Sequence, residues 1–363
     1  MFRFIFPLCL ILCASPVVAE TLQNRFEDLE SFSQAIEVIE SQGMNGTSHK
    51  KLIDQAISGM LNAQDPYSRL LDASELEELK KTSAGQSFGI GLSLEKKGDQ
   101  LLVTRVAPGS PGAKAGIKRG DQLLSVLGKP ASEFDLNEVQ RAKAPVDIEW
   151  SPGHKAALSK AWYPNTGVKF FSPVPNVLVI QLDEFFTETA QLIRQKLEQT
   201  QPKSVVIDLR DNPGGLVFSA VEVAELFVSP GLIIETRDRA GKSIESFVAR
   251  KQPVLPHAKV VVLINHNSAS AAEILVQSLK ENHAALVFGE TSYGKGVVQS
   301  LFPLGHGRYA MMTMAQYFGP SGESFHQVGI APDVALVDTW GAVRYSHEDL
   351  IYTKALASIK AQP

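Results

Sequence analysis

Lys259-Val260-Val261-Val262-Leu263-Ile264, continuing into Asn265-His266-Asn267-Ser268-Ala269-Ser270-Ala271-Ala272-Glu273, reads as a buried strand, a short polar turn and the start of a helix reaching about Lys280. An apolar run with no polar alternation belongs to a strand covered on both faces. Similar runs occur at Val177-Leu178-Val179-Ile180 and Ser204-Val205-Val206-Ile207-Asp208-Leu209. An amphipathic helical pattern, Thr187 to Thr200, separates those two, and further helices are expected over Phe218–Phe227 and Glu348–Lys360. Alternating strands and helices predict an α/β core.

The turn after Ile264 carries two candidate nucleophiles, Ser268 and Ser270. A serine at a strand-to-helix junction is exposed, and the N–H of Ala271 can meet an oxyanion with help from the helix dipole. The plain alternative for both serines is helix capping. A second segment, Leu209-Arg210-Asp211-Asn212-Pro213-Gly214-Gly215-Leu216, ends another apolar strand with two glycines. Their uncovered backbone donors suit an oxyanion hole, although a glycine pair alone is also an ordinary tight turn.

A third segment is Gly289-Glu290-Thr291-Ser292-Tyr293-Gly294-Lys295-Gly296-Val297-Val298-Gln299. A lysine acts as a base only when neutral, and its reference pKa of ~10.4 must then fall by about 3 units, roughly 4 kcal/mol. Flanking glycines allow backbone to pack closely around Lys295 and the surrounding apolar segments can keep water away, with a solvated loop lysine as the plain alternative. If the segment is a strand, Gln299 lies on the same face as Lys295 and can orient its amine. His266 is the competing base for a Ser–His–Asp arrangement, but its place just past the strand suggests a surface histidine. His283, His306 and His326 have no recognisable partner spacing, and the eight histidines contain no metal-binding pattern.

Upstream, Phe26–Leu79 is helical in pattern, with an apolar stripe at Ile53, Ile57, Met60 and Leu61. Asp65-Pro66-Tyr67-Ser68 interrupts it as a turn, and Asp72 or Ser74 can cap the next helix. From about Gln86 the period becomes two: Phe88, Ile90, Leu92 and Leu94 alternate, as do Leu102, Thr104 and Val106, which predicts two half-buried strands. Gly120–Val126 reads as turn plus strand, Asp135–Ala142 as a helix and Val146–Trp150 as a closing strand.

The region Gln86–Trp162 resembles a PDZ domain, through Phe88-Gly89-Ile90-Gly91-Leu92 and Ser110-Pro111-Gly112-Ala113-Lys114-Ala115-Gly116-Ile117-Lys118-Arg119-Gly120-Asp121. The resemblance implies that the loop Phe88 to Leu92 binds a peptide's terminal carboxylate, with the peptide added as a strand. Arg141-Ala142-Lys143-Ala144-Pro145 lacks the glycine–threonine turn usual at the far end, which leaves that boundary open.

The PDZ segments, Asp65–Ser68, Leu209–Gly215, Ser268–Glu273, Gly289–Gln299 and Gly329-Ile330-Ala331-Pro332-Asp333 together resemble the C-terminal (tail-specific) processing peptidases. That resemblance implies an α/β spiral core of the ClpP/crotonase type. It implies Ser270 as nucleophile, Lys295 as base and Gln299 as its orienting partner, with an oxyanion hole from Ala271 and either Gly214 or Gly215. Ala272 stands where many relatives carry a third serine that is not the nucleophile. No cofactor and no metal is implied, and the partners are polypeptides recognised by their C-termini. A catalytically silent PDZ scaffold and an acyl-thioester enzyme on a related core are the competing readings.

The expected organisation is a signal peptide at 1–19, a helical region at 20–84, a PDZ domain at 85–163, a peptidase core at 164–340 and a C-terminal helix at 341–363. Arg3 followed by the apolar stretch Phe4–Val18 and Val17-Val18-Ala19 predicts export to the periplasm. Retention at the inner membrane by an uncleaved leader is the variant of that reading, and lipidation at Cys13 is disfavoured by bulky Leu12. Both cysteines of the chain, Cys9 and Cys13, fall in the leader, so the mature chain has no disulfide and no thiol nucleophile. With 44% hydrophobic residues and a net charge of −4 in 363 residues, the chain can build ordinary cores but lacks the basic face of a nucleic-acid binder. No second long apolar run suggests a membrane span in the mature chain; the helical ends could mediate a homodimer, or an adaptor could bind.

Overall fold

The computed structural model describes residues 16–361 apart from 136–137, 140–141, 143–144, 152, 166 and 339–342; most of the expected leader lies outside the described residues. The chain forms two compact units, Met1–Leu70 and Leu71–Pro363. In the first, helices run over Pro16–Gln42 and His49–Asn62. Leu61 is buried and Ile53 and Ile57 half-buried, but Met60 is 62% exposed. Positions 53, 57 and 61 advance by about 40° per step, and Met60 falls about 100° from buried Leu61, at the outer edge of the stripe. The Asp65 carboxylate accepts the N–H groups of Tyr67 and Ser68, each at 2.8 Å, and thereby builds the expected turn.

The second unit begins with a helix over Ala73–Ser83, capped reciprocally by Asp72 and Glu75. The PDZ module follows as an antiparallel sheet of Leu92–Lys97, Gln100–Val106, Gln122–Val126, Val146–Trp150 and His154–Leu158. Two sequence expectations are corrected here. Phe88 and Leu92 do not share a strand: Gln86–Gly89 pairs with Ala161–Pro164, and the chain breaks at Ile90-Gly91 before the next strand. In the second strand Leu101 and Val103 are fully buried, whereas Leu102, Thr104 and Val106 are only half-buried. Alternation marks the two faces of a strand without saying which meets the core. Glu138 and Val139 are the described helical residues of the helix expected over Asp135–Ala142. The atypical turn at 141–145 lies largely outside the described residues.

The core is built on a six-stranded sheet with spatial order Val168–Phe171, Val177–Leu182, Ser204–Asp208, Lys259–Ile264, Leu286–Gly289 and Val334–Ala335. The first pair is antiparallel and every later pair parallel. Successive side chains go to opposite cores. Leu178, Ile180, Leu182, Val205, Ile207, Val262 and Ile264 pack with helices Thr189–Thr200, Val217–Ala224 and Ala271–Glu281. Val177, Val179, Val206, Val261 and Leu263 pack against Ile351, Tyr352, Ala355 and Ile359 of the terminal helix Leu350–Ala361. Burial on both faces is why these strands read as unbroken apolar runs, each side chain contributing roughly 1.5–3 kcal/mol. A second, antiparallel sheet includes Gly231–Arg237, Ser243–Ala249, Val297–Gly305 and Arg308–Phe318.

The parallel order has a functional consequence. Ser204–Asp208, Lys259–Ile264 and Leu286–Gly289 are neighbours, and their carboxyl ends release the three segments singled out in the sequence. Open α/β sheets place their sites at such ends.

Candidate active site

Ser270 caps the helix Ala271–Glu281 with φ 58° and ψ −117°, a conformation that non-glycine residues rarely adopt. Strain of this sort costs of order 1–3 kcal/mol and is held only where surrounding structure dictates it. Ala271, at the first helical position, is fully buried.

The residue that dictates the geometry is Glu273, completely buried one turn into the helix. Its Oε2 accepts the Ser270 N–H at 2.8 Å and the Lys295 N–H at 2.8 Å. Its Oε1 accepts the Ser292 hydroxyl and the Gly294 N–H, both at 2.6 Å. One carboxylate thus joins the serine turn to the lysine segment, with Ser270 and Lys295 25 residues apart in sequence. Burial pushes the Glu273 pKa up, and the four donors hold that rise in check. The sequence reading gave Glu273 no role, yet the signal was present: serine followed three residues later by glutamate is a capping-box spacing.

Lys295 is half-buried between two glycines packed against the segment 325–330. A Cβ on Gly296 would lie 2.9 Å from the His326 nitrogen, and one on Gly294 would lie 2.9 Å from the Gly329 nitrogen. The Gln327 N–H also donates to the Gly294 carbonyl at 2.8 Å. Close backbone packing around the lysine is therefore real. The argument from strand spacing is not. The strand starts at Val297, after Lys295, and a register shift separates Val298 from Gln299, so four-residue periodicity does not relate the two side chains. Gln299 is half-buried on that strand.

The glycine turn is seated against the serine turn. A Cβ at Gly214 would lie 2.9 Å from Ser270 Cβ and 3.0 Å from the Ala271 nitrogen, and its φ is 113°. The Asn212 carbonyl accepts the Ala269 N–H at 2.9 Å. The Gly214 N–H donates to Asn212 Oδ1 at 2.8 Å, while Gly215 is exposed and its N–H meets no acceptor among the described residues. Behind the pair, Phe185 donates to the Gly214 carbonyl and accepts the Leu216 N–H, each at 2.9 Å. Asn212, fully buried, is a second residue that sequence reasoning quoted without a role.

The two rival groups are accounted for. The Ser268 hydroxyl is buried, donates to the Leu209 carbonyl at 2.8 Å and accepts the Asn265 N–H at 3.0 Å. His266 has an exposed ring whose Nδ1 lies 3.1 Å from Glu290 Oε2.

In the PDZ module, Phe88, Gly89, Ile90, Gly91 and Leu92 line a cavity of about 540 Å³. The carbonyls of Ile90 and Gly91 are taken by the N–H groups of Gly112 and Ala107, each at 2.8 Å, which ties the loop down through its acceptors. Arg105, Lys160 and Tyr163 share the cavity, joined by Glu184 from the core. Arg105 Nε in turn lies 3.5 Å from Asp183 of the core.

Comparison with known proteins finds matches over most of the chain. Residues 176–336 match the description "Peptidase family S41", residues 78–147 match "PDZ domain", and residues 15–75 match "Activating protease CtpB N-terminal domain". The chain is 31% identical over 351 residues to the carboxy-terminal processing protease CtpA of Bacillus subtilis, covering 92% of this chain and 74% of that protein. It is 33% identical over 328 residues to a carboxyl-terminal-processing protease of Picosynechococcus, covering 83% and 78% respectively. Among solved structures, a photosystem II D1 C-terminal processing protease is similar with a TM-score of 0.60 at 26% identity, covering 84% of this chain and 86% of that one.

Proposed function

Because the chain belongs to peptidase family S41, as a PDZ-containing serine endopeptidase of the C-terminal processing type, we propose that Ser270 and Lys295 form its catalytic dyad. The observation that carries this reading is the Glu273 carboxylate, bonded at once to the N–H of Ser270 and the N–H of Lys295.

Ser270 Oγ attacks the scissile carbonyl carbon as its proton passes to the neutral amine of Lys295, which Gln299 orients. The resulting oxyanion is met by the N–H of Ala271 and by that of Gly215. Gly215 is favoured over Gly214 because the Gly214 N–H is already bonded to Asn212. The C–N bond then breaks, Lys295 returns the proton to the leaving amine, and water resolves the acyl-enzyme with the same base. Phe88, Gly89, Ile90, Gly91 and Leu92 hold the substrate's terminal carboxylate, and the cations Arg105 and Lys160 in that cavity suit such a ligand.

The N-terminal sequence supports export to the periplasm, with or without cleavage of the leader. Among the described residues no helix is long and apolar enough to cross a membrane. The helices of the first unit are the surface offered to a second copy or to an adaptor.

The test uses the full chain and an unfolded protein substrate. Ser270→Ala is expected to retain the substrate without cutting it, and to lose labelling by a fluorophosphonate. Undiminished cleavage by that variant would remove Ser270 from the mechanism. Substrate retention together with a wild-type protein that neither cleaves nor labels would favour a silent scaffold.

A further inference from the structure

We propose that Arg344, in the segment leading to the terminal helix, is a positioning residue for the oxyanion hole. The proposal rests on the reading of Ser270 as nucleophile and of Ala271 and Gly215 as oxyanion donors.

The two donors come from different turns, so their convergence depends on how those turns are held together. Asp211 lies at the start of the glycine turn, in a left-handed conformation with φ 64°. Its backbone N–H donates to Asn265 Oδ1 at 2.9 Å. Its Oδ1 accepts the side-chain amides of Asn265 at 2.9 Å and Asn267 at 3.1 Å. Both asparagines belong to the serine turn, and Asn267 is three residues from Ser270. The Asp211 side chain therefore spans the gap between the turns.

Two neutral amide donors from the serine turn do not neutralise this carboxylate; Arg344 brings the opposite charge. Arg344 Nη2 donates to Asp211 Oδ2 at 2.9 Å, leaving Oδ1 to the asparagines. The guanidinium is itself held by Asp338, with Nη1 2.9 Å from Oδ1 and Nη2 2.8 Å from Oδ2. Its side chain is 11% exposed, so the pair is screened little by solvent. A planar fork engaging two carboxylates fixes direction as well as charge, which a point-charge lysine cannot reproduce. Burial pushes the Asp211 pKa up, and Arg344, the Asn265 and Asn267 amides and Arg119 together bring the net shift down, so Asp211 is an anion at neutral pH. Arg344 touches neither substrate nor Ser270 in this scheme. It acts through Asp211 by holding the charged partner in one orientation.

The experiment compares wild type, Arg344→Ala and Arg344→Lys in the full-length chain. Readouts are kcat and KM for a peptide, affinity for a peptide boronate that occupies the oxyanion hole, and affinity for a C-terminal peptide lacking a cleavable bond. In Arg344→Ala, kcat and boronate affinity are expected to fall together by about ten- to a hundredfold, on the scale of one weakened oxyanion donor. KM and uncleavable-peptide affinity should stay within twofold, and Arg344→Lys should recover part of kcat. Unchanged kcat and boronate affinity in Arg344→Ala overturn the proposal, as does an equal loss in peptide affinity. Where Arg344→Ala fails to fold, Arg344→Lys carries the test: a kcat loss of threefold or more at constant KM supports the role, and wild-type kcat overturns it. Failure of wild-type Ser270 to react with fluorophosphonate would instead indict the dyad reading beneath it.

Discussion

At the scale of single residues, the unusual feature is how much geometry one carboxylate carries. Glu273 accepts four donors, and two of them are the backbone N–H groups of Ser270 and Lys295. Hydrogen bonds to a charged acceptor contribute about 1.5–3 kcal/mol each, so the strained serine turn is affordable only with the carboxylate in place. Glu273→Gln keeps the shape but places an amide N–H against donors. It is expected to lower kcat at least a hundredfold and to reduce stability by about 2–4 kcal/mol, read from peptide cleavage and urea unfolding. A Gln variant with normal kcat would show that the carboxylate does not set the site. Glu273 was marked in the sequence only by its capping-box spacing to Ser270, and its other three donors come from Ser292, Gly294 and Lys295, which no spacing rule links to position 273.

At the scale of elements, the site depends on turns that leave adjacent parallel strands and touch through backbone. Gly214 marks the contact with the nucleophile turn, facing Ser270 Cβ and the Ala271 nitrogen. Gly214→Ala would add a methyl group at positive φ with no flexible neighbour to yield. The expected outcome is a loss of kcat by a factor of about 10² to 10³, the scale of a displaced oxyanion donor, with C-terminal peptide affinity unchanged. Wild-type boronate affinity in that variant would place the oxyanion elsewhere. The apolar runs, the helix following Ser270 and the terminal helix were legible because burial on both sheet faces imposes composition directly. The core-facing side of Gln100–Val106 was not, because alternation is symmetric between faces. The relation of Lys295 to Gln299 was not legible either, since a bulge has no reliable sequence mark.

At the scale of the whole molecule, the buried charges behind the glycine turn set the acid limit of the fold. Arg210, its side chain fully buried, donates to Asp208 Oδ1 at 2.9 Å and Oδ2 at 2.6 Å, and to Asp349 at 2.7 and 2.9 Å. Burial alone would raise the Asp208 pKa, but Arg210 outweighs it and holds the group down at about 2. A depressed carboxylate adds stability above its unfolded pKa of ~3.9 and loses it as pH falls through the folded value. The melting temperature should therefore drop steeply between about pH 4 and pH 2, with Asp208 alone accounting for on the order of 2 kcal/mol. Glu273 works in the opposite sense: its raised pKa favours the folded state at low pH, a contribution lost as pH rises through that value. A melting temperature flat from pH 5 to pH 2 would contradict the Arg210 assignment. The sequence by itself determined the α/β core and singled out the serine, lysine and glycine segments, with the PDZ module and the roles of those segments read from resemblance. It did so because burial, turn chemistry and motif composition are local properties. Only the tertiary structure decided that the Ser268 hydroxyl is spent on the backbone, that the Gly214 N–H is occupied while that of Gly215 meets no acceptor among the described residues, and that Glu273 and Arg344 tie the turns together. Those outcomes depend on which carboxyl ends of parallel strands become neighbours, and strand order is a property of the packed sheet rather than of any stretch of chain.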